Sequence, residues 1–287
     1  MKKVWVFGDS TSDENKANPL NFQQSWVHFL RDELIGAECE NVAVSGTTLK
    51  WYYHCEDFQR GKIDTNVPED SRWHKILSKI EKDDLFILFV GGINDHGQIG
   101  FDAYYEKADG DYMLDDYFKI HENRDVFLYV GEGYGTHRYY TARCSVDEYA
   151  VLLAQMIEEV KQKGALPLLV RGTGKYYVRH NDDFDAFPSS HKYMEILPEV
   201  AKKTGVPYFD VGGEFDKGFK QIGYRAMMDN YFMTVSAVER LNKKYGREIV
   251  RKSDDNCHHN IEGAKKICDI LVEMAKQSDY PLKKYLK

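Results

Sequence analysis

No run of apolar residues in this 287-residue chain approaches the roughly 20 that a bilayer-crossing helix needs, which argues against a membrane-spanning protein. Cysteine is sparse. Cys39, Cys55, Cys144, Cys257 and Cys268 make an odd count of 5 without CxxC spacing, so free thiols in a reducing compartment are expected rather than a disulfide framework. An excess of positive charge is missing as well. With 39 Lys and Arg against 46 Asp and Glu, the formal net charge is -7, which speaks against nucleic acid as a partner. No Ser/Gly/Pro-rich stretch, low-complexity tract or internal repeat marks a linker, so a single domain spanning 1–287 is expected. Met1-Lys2-Lys3 leads straight into Val4-Trp5-Val6-Phe7, with neither the longer apolar core nor the cleavage site of an export signal. A cytoplasmic protein is the expectation. What is present, 43% hydrophobic and 30% charged residues, is the balance of a globular protein with chain enough for a real core.

Periodicity supplies an order of elements. Val4–Phe7 reads as a buried strand ending in Gly8, and Trp26, Phe29, Leu30 and Leu34 have helical spacing. Asn41–Val44 reads as a second strand, Trp73–Ile80 as a helix and Leu85–Val90 as the clearest strand in the chain. Between about 96 and 145 the pattern gives way to an irregular, Tyr-rich insert with one strand at Val126–Val130. Helices follow over Val146–Lys163 and His191–Thr204, with strands at Leu166–Val170 and Val206–Val211. A last helix runs on from Ile261, with Asn260 as its N-cap. Strands alternating with helices predict an α/β fold of three layers, α/β/α, with a five-stranded, mostly parallel sheet. Ligands then belong at the carboxyl ends of the strands.

Four separated segments at such ends each offer one part of an acyl-transfer site: Gly8-Asp9-Ser10, Gly46, Gly92-Ile93-Asn94-Asp95 and Asp255-Asn256-Cys257-His258. A serine hydroxyl needs an imidazole to take its proton, and the imidazole needs a carboxylate on its other nitrogen. Asp255 and His258, three apart, meet this if a tight turn presents both at one sheet edge. Backbone N–H groups at Ser10 and Gly46 and the Asn94 carboxamide are natural donors to the developing oxyanion. His259 competes with its neighbour for the role of base, and Asp254 competes with Asp255.

The four blocks, in this order and across nearly the whole chain, resemble the SGNH/GDSL hydrolases. The resemblance implies the flavodoxin-like fold of that family, Ser10 as nucleophile and first oxyanion donor, Gly46 and Asn94 completing the hole, and His258 as base oriented by Asp255. It implies no cofactor. Thr11 after the nucleophile and Asn41-Val42-Ala43-Val44-Ser45-Gly46 are similar to the rhamnogalacturonan acetylesterase branch, as are His191–Tyr193, Thr204–Pro207 and His258–Ala264. The substrate implied is an acetylated plant cell-wall oligosaccharide, pectic or hemicellulosic, taken up as a fragment. A lysophospholipid, a thioester or an aryl ester is the competing substrate class, and a non-catalytic binding module the competing protein class. No membrane partner is expected, and homo-oligomerisation is left open.

Each block also has a plainer reading. Ser10 could cap a helix, Gly46 could mark a turn, and Asp95 reads as a turn or cap residue outside the reacting set. A metal site at Cys257, His258 and His259, joined by His54 and Cys55, lacks any zinc-ligand spacing, so no metal is expected. Trp51, Tyr52 and Tyr53, soon after Gly46, are better placed to meet substrate. The insert's tyrosines, among them Tyr104, Tyr112 and Tyr134, suit a lid or sugar platform, core under a long loop, or a subunit contact equally.

Overall fold

Five strands lying parallel make the centre of the molecule, in the spatial order β2-β1-β3-β6-β9. The computed structural model describes residues 1–14, 21–54, 71–95, 127–130, 140–143, 146–179, 182–188 and 190–287. In chain order the strands are β1 (Lys2–Phe7), β2 (Ala37–Asn41), β3 (Leu85–Val90), β4 (Phe127–Val130), β5 (Tyr140–Arg143), β6 (Leu166–Arg171), β7 (Tyr176–Arg179), β8 (Asp182–Pro188), β9 (Tyr208–Phe209), β10 (Phe232–Met233) and β11 (Asp255–His259). The helices are α1 (Trp26–Glu33), α2 (Leu49–His54), α3 (Arg72–Leu77), α4 (Val146–Gln162), α5 (His191–Glu195), α6 (Leu197–Thr204), α7 (Val211–Ile222), α8 (Tyr224–Tyr231), α9 (Val235–Tyr245) and α10 (Ile261–Gln277). Three antiparallel pairs, β4-β5, β7-β8 and β10-β11, stand apart from the main sheet.

Leu85-Phe86-Ile87-Leu88-Phe89-Val90 shows no polar alternation because both faces of β3 are covered. Leu85, Ile87 and Phe89 pack with Val4 and Val6 against Trp26 and Leu30 of α1 and Ile267 and Leu271 of α10. Phe86, Leu88 and Val90 pack with Trp5 and Phe7 against Trp73 of α3 and Leu153, Met156 and Ile157 of α4. The expected three-layer α/β/α architecture is therefore present. From β1 the chain goes to β2 on one side and then to β3 on the other. A crevice opens at such a switch, and it lies beside the carboxyl ends of β1 and β3.

Several boundaries differ from those predicted. The second strand is Ala37–Asn41 rather than Asn41–Val44; as an edge strand it buries only Cys39 and so has no apolar run. The Val42 N–H still reaches Val6 O at 2.8 Å, so the apolar stretch continues the ladder beyond the strand proper. The predicted His191–Thr204 helix is two helices meeting at Ile196, because Pro198 starts a new first turn and cannot sit inside an old one. The fifth strand is only Tyr208–Phe209, since the Asp210 carboxylate accepts from the Gly213 N–H and begins α7 at Val211. Of the irregular insert, the β4-β5 pair is described, while Tyr104, Tyr112, Tyr134, Cys55 and Cys144 lie outside the described residues. No helix among the described residues is long and apolar enough to cross a membrane.

Candidate active site

Ser10 sits on the turn that β1 makes as it leaves the sheet. Asp9 O accepts from the N–H groups of Ser12 and Asp13, both at 3.0 Å, so the chain bends at once into one helical turn. The Asp9 side chain tightens the bend by accepting from Thr11 N at 2.9 Å and Thr11 Oγ1 at 2.8 Å. Gly8 allows the close approach: a Cβ there would lie 2.8 Å from Ser12 Oγ and 3.0 Å from Phe89 O. Ser12 behind the turn is held by Trp26 Nε1 on its hydroxyl at 2.9 Å, and by Ser25 Oγ and Asn41 Nδ2 on its carbonyl, both at 2.7 Å. Burial raises the Asp9 carboxyl, opposed by the two Thr11 bonds and the charge of His258.

The opposite wall is β11. In a regular strand, residues three apart point to opposite faces, which would separate Asp255 from His258. Here Met233 pairs with Asp255 and Phe232 with His259, so three residues of β11 bulge out with no partner on β10. Within the bulge Asp255 Oδ1 accepts from Cys257 N at 2.9 Å and His258 N at 3.0 Å, which curls the backbone and returns His258 to its own carboxylate. His258 Nδ1 is 2.9 Å from Asp255 Oδ2, and His258 Nε2 is 2.9 Å from Ser10 Oγ. Burial alone would raise the Asp255 carboxyl. The His258 hydrogen bond and charge, with the two backbone N–H groups, hold it well below the usual carboxylate range.

Gly46 and Asn94 lie at the ends of β2 and β3. Gly46 has φ +74°, a left-handed conformation suited to glycine, and the preceding Ser45 is pinned by Asp13 Oδ2, which accepts from Ser45 N at 2.9 Å and Ser45 Oγ at 2.7 Å. Asn94 Nδ2 donates to Thr47 O at 3.0 Å, tying the two loops together and leaving its second hydrogen for another acceptor. Gly92 is fixed by packing: a Cβ there would meet Tyr193 Cβ at 2.5 Å. Asp95 Oδ1 accepts from Leu49 N at 2.9 Å, a cap on α2, as expected for a residue outside the reacting set.

A profile of the GDSL-like lipase/acylhydrolase family matches residues 6–233. The chain belongs to that family. The match includes Ser10, Gly46 and Asn94 but ends before Asp255 and His258. Among solved structures, the YXIM protein of Bacillus subtilis is similar with a TM-score of 0.56 at 17% identity, over 96% of this chain. This chain spans 56% of that protein's length. The acetylxylan esterase Axe2 of Geobacillus stearothermophilus is similar with a TM-score of 0.50 at 13% identity, over 95% of this chain and 93% of that one. At such identities the likeness is one of fold. No curated protein sequence matches.

In this GDSL-like hydrolase the two adjacent histidines face opposite ways. His259 is buried against Phe232 and Phe215, with ring centroids 4.8 Å and 5.6 Å away, and burial followed by the His258 charge lowers it to about 3. Asp254 binds Arg225 Nη1 at 3.0 Å and Val235 N at 2.8 Å and does not reach His258. The candidate metal ligands part in the same way, His258 held between Asp255 and Ser10 and His259 among phenylalanine rings. Tyr52 and Tyr53 do not face substrate: each is 1% exposed, the Tyr52 hydroxyl lies 2.9 Å from Gly8 O and 3.1 Å from Val42 O and supports the Ser10 turn from inside, and the Tyr53 hydroxyl donates to Glu159 Oε2 at 2.7 Å. The side chains of Trp51 and His54 lie outside the described residues.

Sequence reasoning missed several supports of the site. Arg251 Nη2 is 3.1 Å from Asp255 Oδ2, and Asn256 Nδ2 donates to Tyr176 O at 2.6 Å. Asn260 does more than cap α10. Its Oδ1 accepts from the N–H groups of Glu262 and Gly263 at 2.9 and 3.0 Å, while Nδ2 donates to Asn230 O at 3.0 Å and Phe232 O at 2.9 Å. Only the cap was written in the spacing. For Arg251 the one available signal was a basic residue four before an acid.

Proposed function

We propose that the protein is a serine-dependent carbohydrate O-acetylesterase that removes acetyl groups from plant cell-wall-derived oligosaccharides. The observation that carries the reading is the continuous relay Ser10 Oγ–His258 Nε2 and His258 Nδ1–Asp255 Oδ2, with 2.9 Å at each step. In that arrangement Ser10 attacks the acetyl carbonyl as His258 takes its proton, and Asp255 keeps the imidazole in the tautomer that can accept it. The Ser10 and Gly46 N–H groups and the free hydrogen of the Asn94 amide stabilise the oxyanion. The sugar alcohol leaves with the proton held on His258, and water then releases acetate from Ser10.

Sequence likeness and shared fold support a short acyl group on a carbohydrate. The Thr11 and Asn41–Gly46 sequences resemble the acetylesterase branch of the family, and a protein of the same fold is named an acetylxylan esterase.

Two measurements test the proposal. A fluorophosphonate should label the protein once, at Ser10. Turnover should be highest on acetylated pectic or xylan oligosaccharides and fall as the acyl chain of a model ester lengthens. Preference for long acyl chains would overturn the carbohydrate reading, and labelling at another residue would overturn the nucleophile.

A further inference from the structure

Asp255 has four donors. Oδ1 takes the two backbone N–H groups of Cys257 and His258, and Oδ2 is shared between His258 Nδ1 at 2.9 Å and Arg251 Nη2 at 3.1 Å. A carboxylate has about four lone-pair sites, so this one is filled. Arg251 is itself anchored, its Nε donating to Ser253 O at 2.9 Å. Arg251 and Asp255 are 23% and 21% exposed at the side chain, so the pair is shielded from full solvent screening.

We propose that Arg251 is a positioning residue with two effects: it locks the Asp255 carboxylate against His258, and its charge on the shared oxygen keeps the imidazole a free base to lower pH. The inference rests on the proposed roles of Ser10, His258 and Asp255 and deepens them. A base that must be unprotonated to start the reaction is disabled by acid. The carboxylate favours the imidazolium, and a cation on the same oxygen opposes it, moving the acid limit of activity downward.

Other groups act on the same imidazole. From the β1 turn the Asp9 carboxylate favours its protonation, while burial raises Asp9 itself. From the loop before β7, Lys175 adds a second positive charge towards Asp255 and Cys257. His259 is held neutral and the Cys257 thiol protonated by burial, while Asp254 is occupied by Arg225. Apart from His258 itself, Arg251 is the one cationic side chain hydrogen-bonded to Asp255 among the described residues.

The test compares Arg251→Lys, Arg251→Gln and Arg251→Met with wild type across pH, following both kcat/KM for p-nitrophenyl acetate and the NMR titration of the His258 ring. Gln and Met should move the acid limb and the ring titration together to higher pH, by roughly half a unit or more. Lys, which keeps the charge, should leave both close to wild type. Should one variant not fold, the ring titration of either remaining neutral or charged partner still decides the sign. Limbs and ring titrations that superimpose in wild type, Gln and Met would overturn the role of Arg251 and leave the nucleophile standing. A Ser10→Ala protein with full turnover would overturn the underlying reading instead.

Discussion

The two walls of the site are built by different means. The Ser10 turn hangs from β1, a strand with both faces buried and neighbours on both edges, and little beyond the Asp9 and Ser12 bonds is needed to set it. The Asp255–His259 wall lies outside that sheet. Its strand partner is the two-residue β10, joined by a backbone bridge between Gln23 and Asn260, and side chains add to the hold: Asp255 on its own backbone, Asn256 on Tyr176, and Asn260 on Asn230 and Phe232. The nucleophile's turn thus hangs from a packed central strand, while the base's segment has no such strand behind it. Substitutions should therefore affect activity and stability in different proportions on the two walls.

The largest expected effect puts both walls on an equal footing. Ser10→Ala and His258→Ala should each lower kcat by on the order of 10³-fold or more, and the double variant by little beyond either, since the two act as a unit. Steady-state rates of the three variants check this, and losses that multiply would separate the walls functionally. Ser10→Ala should also leave stability within about 1 kcal/mol of wild type.

Asn94→Ala comes next, with kcat down by about 10²-fold and KM nearly unchanged, because its amide acts on charge that develops in the transition state. A change confined to KM would assign Asn94 to ground-state binding. Asn260→Ala should do the reverse of Ser10→Ala. Losing four hydrogen bonds at a fully buried position should lower unfolding free energy by roughly 2–4 kcal/mol, read by chemical denaturation. An unchanged denaturation midpoint would mean that packing holds the second wall after all.

His259→Phe should have the smallest effect at neutral pH and the most distinctive one in acid. An unfolded histidine protonates near 6.5, but burial, and then the His258 charge, keeps His259 neutral in the fold until about 3. Between those values the unfolded chain holds a proton that the folded chain refuses, so the native state loses stability as pH falls. Without the imidazole that loss disappears, and the variant should gain on wild type by about 1.4 kcal/mol per pH unit below 6.5. Denaturation curves at pH 7, 5 and 4 measure the gain; parallel pH dependences would contradict the buried, neutral assignment.

The same division explains what could be read in the sequence. β3, α4 and α10 were legible because burial imposes an apolar run or a helical period, and Asn260 announced its helix as a cap. The blocks around Ser10, Gly46, Asn94 and His258 were legible because each ends an element or precedes one. β2 was misplaced because an edge strand buries one side chain in five. Helices α7 to α9 went unread although Thr234 and Gly246 bracket α9 with an N-cap and a left-handed C-cap. The Arg251 contact had no period to betray it, since residues 248–254 form neither helix nor strand. Tyr52 was read by nearness in the chain, whereas burial at the centre of the fold decided its role.

Ser10 and His258 stand 248 residues apart, yet share one hydrogen bond. During synthesis the nucleophile emerges 248 residues ahead of its base. On the reading proposed above, a nascent chain carries no esterase activity until the last long helix has docked, because Asn260 both caps that helix and ties the base's segment to the body. Ester turnover then reports that these two segments have met.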